Sequence, residues 1–420
     1  SLSSPCVATI AKADGIWIED TSGRRFMDFH GNSVHHIGYG HPRLIDAVKA
    51  QMDTLPFSPR RFTNDVSVEL AERLGALAPD DLNKVLFTTG GSDANEVALK
   101  IARAATGRFK TISFWDAFHG AGFGAASVGG EATFRSHIAG PLMPGTEHVA
   151  PFHCYRCAYG HSGPANCGLA CANMVDYVLG REGDVAAVIA EPMRAVPVVP
   201  PPGYWKAVQA ACRRHGTLLI MDEIPTGLGK TGRMFAFDHD EVIPDIVTLG
   251  KALGGGSGGF TSGRKEIIDL LRQRSRPYLF SNTLPPPLVA AGIKVFELIT
   301  KSNDLRDKLQ LNTEYFRSEV AKLGFDISGE THSIVPVMLY DAKLAKKRDF
   351  LTVEFQKLNW SNDQVNKMTI NSCSCLDDAI TLLANRLMNH CTDIDGKMND
   401  GRLFSAAKKL VEGGFDRGWE

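Results

Sequence analysis

The chain has 420 residues, 44% apolar and 22% charged, with a formal net charge of -1. That balance suits a globular protein of one large and one smaller domain. It offers no basic excess for nucleic acid or an anionic membrane surface. No apolar run approaches the roughly 18 residues of a membrane span, no leader is visible before Ser1, and nine cysteines in so long a chain point to a reducing compartment, cytoplasmic or an organellar matrix.

Taken in order, residues 14–29 (DGIWIEDTSGRRFMDF) read as a hairpin closed by a D-T-S-G turn. Residues 41–55 and 64–78 have the apolar spacing of amphipathic helices, the second capped by Asn64 or Asp65. Residues 84–107 (KVLFTTGGSDANEVALKIARAATG) run strand, glycine turn, helix. Four further short apolar runs follow, at FKTISFWDAFHG, VAAVIAEPM, GTLLIMDEI and DIVTLGKAL, with a helix at GYWKAVQAACRRHG between two of them. Such alternation predicts an α/β domain with a largely parallel sheet flanked by helices. Residues 290–302 and 305–324 read as helices and 332–341 as a strand, giving a smaller α+β domain. The expected division is an N-terminal segment 1–45 packing with the small domain, a large α/β domain over 46–285, and the small domain over 286–420.

In parallel sheets ligands gather at the carboxyl ends of the strands. Gly91, Ser92, His119, Glu191, Asp222 and Lys251 all fall at or just past such ends. Lys251 follows an apolar strand and precedes a run of glycines, where a partly desolvated amine becomes nucleophilic and suited to Schiff-base chemistry. Asp222 closes TLLIMD, and a buried carboxylate there needs a cationic partner such as a protonated pyridine nitrogen. Gly90, Gly91 and Ser92 precede a helix, whose bare N–H groups form a phosphate site. Phe118 could stack on a flat cofactor or pack in the core; Glu191 could hold a polar group near the reacting carbons. Together they describe one site for a phosphorylated, flat, nitrogen-containing aldehyde.

These residues resemble the fold-type-I pyridoxal-phosphate enzymes, specifically the class III aminotransferases. The likeness lies in GIWIEDTSGRRFMDF, GYGHP, TGGSDANEVALKIAR, FHG, EP, GTLLIMDEIPTGLGKTGRMFAFDH and PDIVTLGKALGGG. It implies a homodimer binding pyridoxal 5'-phosphate. In it Lys251 forms the internal aldimine and acts as general base, and Asp222 pairs with the pyridine nitrogen. Gly91 and Ser92 hold the phosphate, and Phe118 stacks on the ring beside His119. The implied reaction moves an amino group from a small amine or amino acid to a keto acid or aldehyde.

Three departures qualify the likeness. The family usually has Gln where this chain has Pro225, and the region of CYRC is similar to lyases acting on aminophosphonates or phosphorylated amines. Elimination is therefore an alternative. Residues from about 251 to 345 resemble 2-amino-3-ketobutyrate CoA ligase. This adds a glycine C-acyltransferase-like alternative and implies that Ser281, Asn282 or Thr283 reaches a neighbouring subunit's phosphate. Residues 346–420 offer no evident arginine for a substrate carboxylate, which keeps an inactive cofactor-binding protein as a fourth reading. Cys154, Cys157, Cys167 and Cys171 have C-x2-C and C-x3-C spacing. A structural zinc would need all four to converge, and loop or buried thiols are the favoured reading, so no metal is expected.

Overall fold

The computed structural model describes residues 8–28, 36–59, 62–79, 82–136, 140–194, 197–251, 258–266, 268–269, 284–322 and 325–337. The chain forms two compact units. The smaller takes its described residues from 1–31, 38–41 and the part from 308 onward, and the larger from 32–37 and 42–307.

In the smaller unit, strands β1 (Ile10–Asp14), β2 (Trp17–Asp20) and β3 (Arg25–Met27) form an antiparallel sheet in that order. Asp20 ties the β2–β3 turn by accepting hydrogen bonds from the Ser22 and Arg24 backbone N–H groups. The strand expected over 332–341 is not formed in its described part. Only a bridge from Ile327 to Val337 is present, and residues beyond 337 lie outside the described range.

The larger unit is built on seven described strands. They are β4 (Lys84–Thr88), β5 (Lys110–Phe114), β6 (Thr146–Val149), β7 (Val185–Ala190), β8 (Leu218–Asp222), β9 (Ile246–Leu249) and β10 (Gly259–Gly263). Their order is β4-β10-β9-β8-β7-β5-β6. β10 runs antiparallel to both its neighbours, and the other pairings are parallel. β7, VAAVIA, is buried at all six positions, the continuous apolar reading of a strand covered on both faces.

Strand parity decides what each face meets. Ala187, Ile189, Ile220 and Ile246 point to one side, where they join Val97, Ala98, Leu99, Ile101 and Ala102 of helix α3 (Gly91–Thr106). Val188, Ala190, Leu219, Met221, Val247 and Leu249 point to the other. There they pack with helices α6 (Ala170–Glu182) and α7 (Tyr204–His215), whose Tyr204 and Trp205 are fully buried. Removing each large apolar side chain from water stabilises the unit by about 1.5–3 kcal/mol.

Short helices α4 (Phe123–Val128) and α5 (Ala132–Arg135) follow β5. Helices α1 (Pro42–Thr54) and α2 (Asp65–Leu77) precede the sheet, and Asn64 caps α2 by accepting from the Ser67 N–H at 3.0 Å. Helix α8 (Pro286–Lys301) packs on both α1 and α2. The boundary between units therefore falls after Asp307 instead of at residue 285, because Val289, Ile293 and Phe296 of α8 share a core with Leu70 and Leu74 of α2. Helix α9 (Asp304–Lys322) follows it. Among the described residues no helix is long and apolar enough to cross a membrane.

Candidate active site

The parity that buries Ile220 also aims Asp222, two residues on, at the α3 face. Asp222 is 1% exposed, and its carboxylate is met by three donors. His119 Nδ1 lies 2.7 Å from Oδ2, Asn95 Nδ2 donates to the same oxygen at 2.7 Å, and the Ile224 N–H donates to Oδ1 at 3.1 Å. With a carboxylate as acceptor, Nδ1 is the ring nitrogen that carries the hydrogen. A carboxylate has about four lone-pair positions, so one on Oδ1 is left for a further donor. His119 Nε2 is buried without a hydrogen-bond partner.

Asn95 holds this group from α3. Its amide also donates to the His119 carbonyl at 2.7 Å, and its own carbonyl accepts from Thr248 Oγ1 at 2.7 Å. Thr248 shares the α3 face of β9 with Ile246, as Asp222 shares that of β8 with Ile220. Asn95 and Thr248 are absent from the sequence-based site; the only signal was a fully buried asparagine inside a helix otherwise lined by alanine, leucine and isoleucine.

Gly91 begins α3 and Gly90, in extended conformation, caps it without a side chain. The first helical N–H groups have no partner within the helix and face outward as an anion site. A Cβ on Gly91 would meet Ile224 Cδ1 at 2.8 Å. Gly120 has φ +127°, and a Cβ there would run into the Ser92 side chain. Ser92 Oγ accepts from the Ala121 N–H at 3.2 Å, which leaves its own hydrogen for an oxyanion. Of the two, Gly120 admits only glycine, while a larger residue at Gly91 would have to displace the Ile224 side chain.

Lys251 follows β9 with φ +28°, a left-handed backbone uncommon for a non-glycine residue. Its neighbour Gly250 lies beside Gly91 and Ile224: a Cβ on Gly250 would be 3.6 Å from Gly91 Cα and 3.6 Å from Ile224 Cγ2. Gly91, the loop after Asp222 and the Lys251 backbone therefore meet at one place. Lys230, unremarked in the sequence, stands close enough to Lys251 to be affected by its charge. Burial first, then Lys251, bring its ammonium down to about 8.

Glu191 follows β7 directly, is buried, and accepts from the Phe118 N–H at 3.2 Å. Phe118 is 41% exposed and packs against Phe134 with ring centroids 4.9 Å apart, so its ring is a surface feature and not part of the core. Asn282 and Thr283, with Ser281, lie outside the described residues. Pro225 is buried and supplies no donor. Next to Asp222, Glu223 is fully buried, accepts from Thr226 Oγ1 and the Phe237 N–H, and is pushed up to about 7, mainly by burial.

Cys154, Cys157, Cys167 and Cys171 are thiols that line one small cavity with Phe152, His153 and Tyr159. Among the described residues no three His, Cys, Asp or Glu side chains are arranged to hold a metal ion.

Comparison with known proteins accords with this geometry. The sequence signature of the family “Aminotransferase class-III” matches residues 2–326. The chain is 40% identical over 338 residues to a (R)-1-hydroxy-2-aminoethylphosphonate ammonia-lyase of Vibrio splendidus, covering 77% of this chain and 70% of that protein. It is 35% identical over 289 residues to an acetylornithine aminotransferase of Methanopyrus kandleri, covering 68% of each. The fold superposes on an (S)-enantioselective omega-transaminase of Thermomicrobium roseum with a TM-score of 0.76 at 27% identity, over 89% of this chain and 93% of that one. An amine transaminase of an uncultivated Pseudomonas species, solved with pyridoxal phosphate, gives 0.75 at 26% identity over 89% and 94%. The family match continues past Lys251 to residue 326, so the likeness of 251–345 to 2-amino-3-ketobutyrate CoA ligase gains no support.

Proposed function

The chain belongs to the class III aminotransferase family, whose enzymes use pyridoxal phosphate, and from that premise we propose how its own residues work. The reaction is transfer of an amino group from a small amine or amino acid to a keto acid or aldehyde. The observation that carries the reading is the buried Asp222 carboxylate, fixed by three donors with one lone pair to spare.

Pyridoxal phosphate, when bound, supplies a conjugated ring that accepts electron density from the substrate carbon. Asp222 would pair with the pyridine nitrogen through Oδ1, and Asn95 and His119 keep the carboxylate aimed. The N–H groups at the start of α3 and the Ser92 hydroxyl would hold the phosphate, with Gly91 and Gly120 leaving space for it. Phe118 would cover one face of the ring. Lys251 would hold the cofactor through its amine, and that amine, once free, would serve as the general base that takes and returns the proton at the substrate carbon. Glu191, held through the Phe118 N–H, orders polar groups at the mouth.

The exposed rings of Phe118, Phe123 (67%) and Phe134 support a homodimer that covers this edge. The described cysteines, thiols throughout, support a reducing, cytoplasmic setting.

A second reading, elimination of ammonia from an amino-phosphonate, is favoured by the 40% identity to the ammonia-lyase and by Pro225. One experiment separates the two. The visible absorbance of the cofactor-loaded protein is followed after adding alanine, 4-aminobutyrate and 2-aminoethylphosphonate separately, beside Lys251→Ala. Transamination bleaches the band with one donor and restores it with a keto acid. Release of ammonia from the phosphonate without any acceptor selects the lyase. Failure of both in a loaded protein would refute the reading.

A further inference from the structure

Three side chains on one face of α3 hold the segment that follows β5, and the mechanism uses only two of them. Ser92, Asn95 and Glu96 stand at helical positions i, i+3 and i+4, so they point the same way. Ser92 Oγ accepts from the Ala121 N–H at 3.2 Å, and Asn95 Nδ2 donates to the His119 carbonyl at 2.7 Å. Glu96 Oε1 accepts from the Ala125 N–H at 2.9 Å. Residues 118–125 are thus laid across the first turns of α3.

The Ala125 N–H needs this partner. Ala125 is the third residue of α4, whose first intrahelical bond runs from the Ala126 N–H to the Gly122 carbonyl at 2.7 Å. Its N–H therefore comes one place too early for the helical ladder, and Ala125 is fully buried, shut off from water. Gly122 caps α4 and has no side chain to offer. The Glu96 carboxylate, reaching over from α3, takes the place of the missing cap, and its charge makes the bond stronger than one to a neutral oxygen.

The fit around the carboxylate is close. A Cβ on Gly122 would overlap Glu96 Oε1, and one on Gly124 would overlap Oε2. Gly122 has φ −68° and ψ 158°, a backbone that any residue adopts, so the carboxylate and not the backbone is what a side chain there would offend. With glycine at 120, 122 and 124 the segment has little stiffness of its own. Glu191 pins its first residue through the Phe118 N–H, and Glu96 pins its last. Two side chains depend on it: Phe118, whose ring packs on Phe134 at the surface, and His119, whose Nδ1 meets Asp222.

Resting on the functional reading above, we propose that Glu96 is a positioning residue: its carboxylate clamps residues 118–125 onto α3 and so sets Phe118 and His119 in place at the cofactor. Glu96 acts through the backbone of residues 122–125 and not on the substrate itself.

The test titrates pyridoxal phosphate into the full chain freed of cofactor, read by absorbance and by visible circular dichroism per bound cofactor. Wild type is set beside Glu96→Ala, Glu96→Gln, Gly122→Ala and the double variant of Glu96→Ala with Gly122→Ala. Melting temperature and amide hydrogen exchange over residues 118–125 are measured on the cofactor-free proteins. Glu96→Ala is expected to weaken pyridoxal phosphate binding about 10-fold, the loss of one charge-assisted hydrogen bond. It should also shrink the dichroism of the cofactor that remains bound and speed exchange over 118–125. Glu96→Gln keeps an oxygen for the Ala125 N–H and should lie between. Gly122→Ala, which pushes the carboxylate aside, should match Glu96→Ala, and the double variant should be no worse than either, since the added methyl then meets no carboxylate.

Unchanged affinity and dichroism in Glu96→Ala, whether or not its melting temperature falls, would overturn the proposal. So would a double variant whose two losses add. A wild type in which Glu96 protects residues 118–125 from exchange, but which takes up no pyridoxal phosphate, would refute the functional reading and the positioning role with it, leaving Glu96 a clamp alone.

Discussion

Asn95→Ala is the substitution that bears most directly on how the site is built. The side chain is fully buried and makes three hydrogen bonds of 2.7 Å: to Asp222, to the His119 carbonyl, and from Thr248. The bond to the carboxylate is worth about 1.5–3 kcal/mol and each of the other two about 0.5–1.5 kcal/mol. Their sum is about 2.5–6 kcal/mol, and the three abandoned partners sit where water cannot replace the amide. We expect a loss near 4 kcal/mol, read as a shift of the urea midpoint of the cofactor-free protein at constant slope. Retention of pyridoxal phosphate on dialysis should fall in parallel, since Asp222 loses one of the two donors that aim Oδ2. Asn95→Asp, of the same shape, should do worse at neutral pH by placing a second carboxylate against the first. A shift below about 1 kcal/mol with full cofactor retention would refute the claim that Asn95 organises Asp222.

Gly120→Ala forces a left-handed backbone on alanine and drives its Cβ into Ser92; a cost of about 1–3 kcal/mol in stability, with faster cofactor loss, should appear in thermal melts and dialysis. Glu223 has a folded value of about 7 against an ordinary 4.5, so between those values the folded protein binds more protons than the unfolded one. Its contribution to stability therefore falls as pH rises from 4.5 to 7, by about 3 kcal/mol at most, and stays lost above that. Glu223→Gln should remove that slope, and matching pH profiles of urea midpoints for the two proteins would count against it. Burial raises the Cys171 thiol to about 11, so an alkylating reagent at pH 8 should label the half-exposed Cys157 and Cys167 well before Cys171, as read by mass spectrometry of peptides.

The backbone of the site was legible because each of its charged residues interrupts an apolar run. Asp222 ends LLIMD and Lys251 follows IVTLG, and a carboxylate or ammonium at the end of a buried strand has few structural explanations. What supports them was not legible. Asn95 looks like an ordinary polar position of a helix, and only the pairing of β8 with β9 brings Thr248 and Asp222 to the same face beneath it. β10, GFTSG, has too many small residues to read as a strand from its own sequence. Its strand character comes from neighbours on both sides, with Thr261 Oγ1 donating to the Ala94 carbonyl at 3.0 Å. Helix α8 was assigned to the wrong side of a boundary for a related reason: its apolar stripe says that it packs, not against what.

The same distinction governs the choice between transfer and elimination. In the proposed reading Asp222, Lys251 and the α3 phosphate site would do the same work in either, since both begin by taking a proton from the carbon that bears the amine. The outcome is decided at the next atom, by whether a group able to leave lies there and whether the pocket holds it in place. Of the strand-end residues only Pro225 bears on it, by changing which groups touch the ring. Whatever fixes the substrate's orientation at the cofactor also fixes which bond stands aligned to break. The choice between transfer and elimination is thus settled by how the substrate is held and not by the lysine.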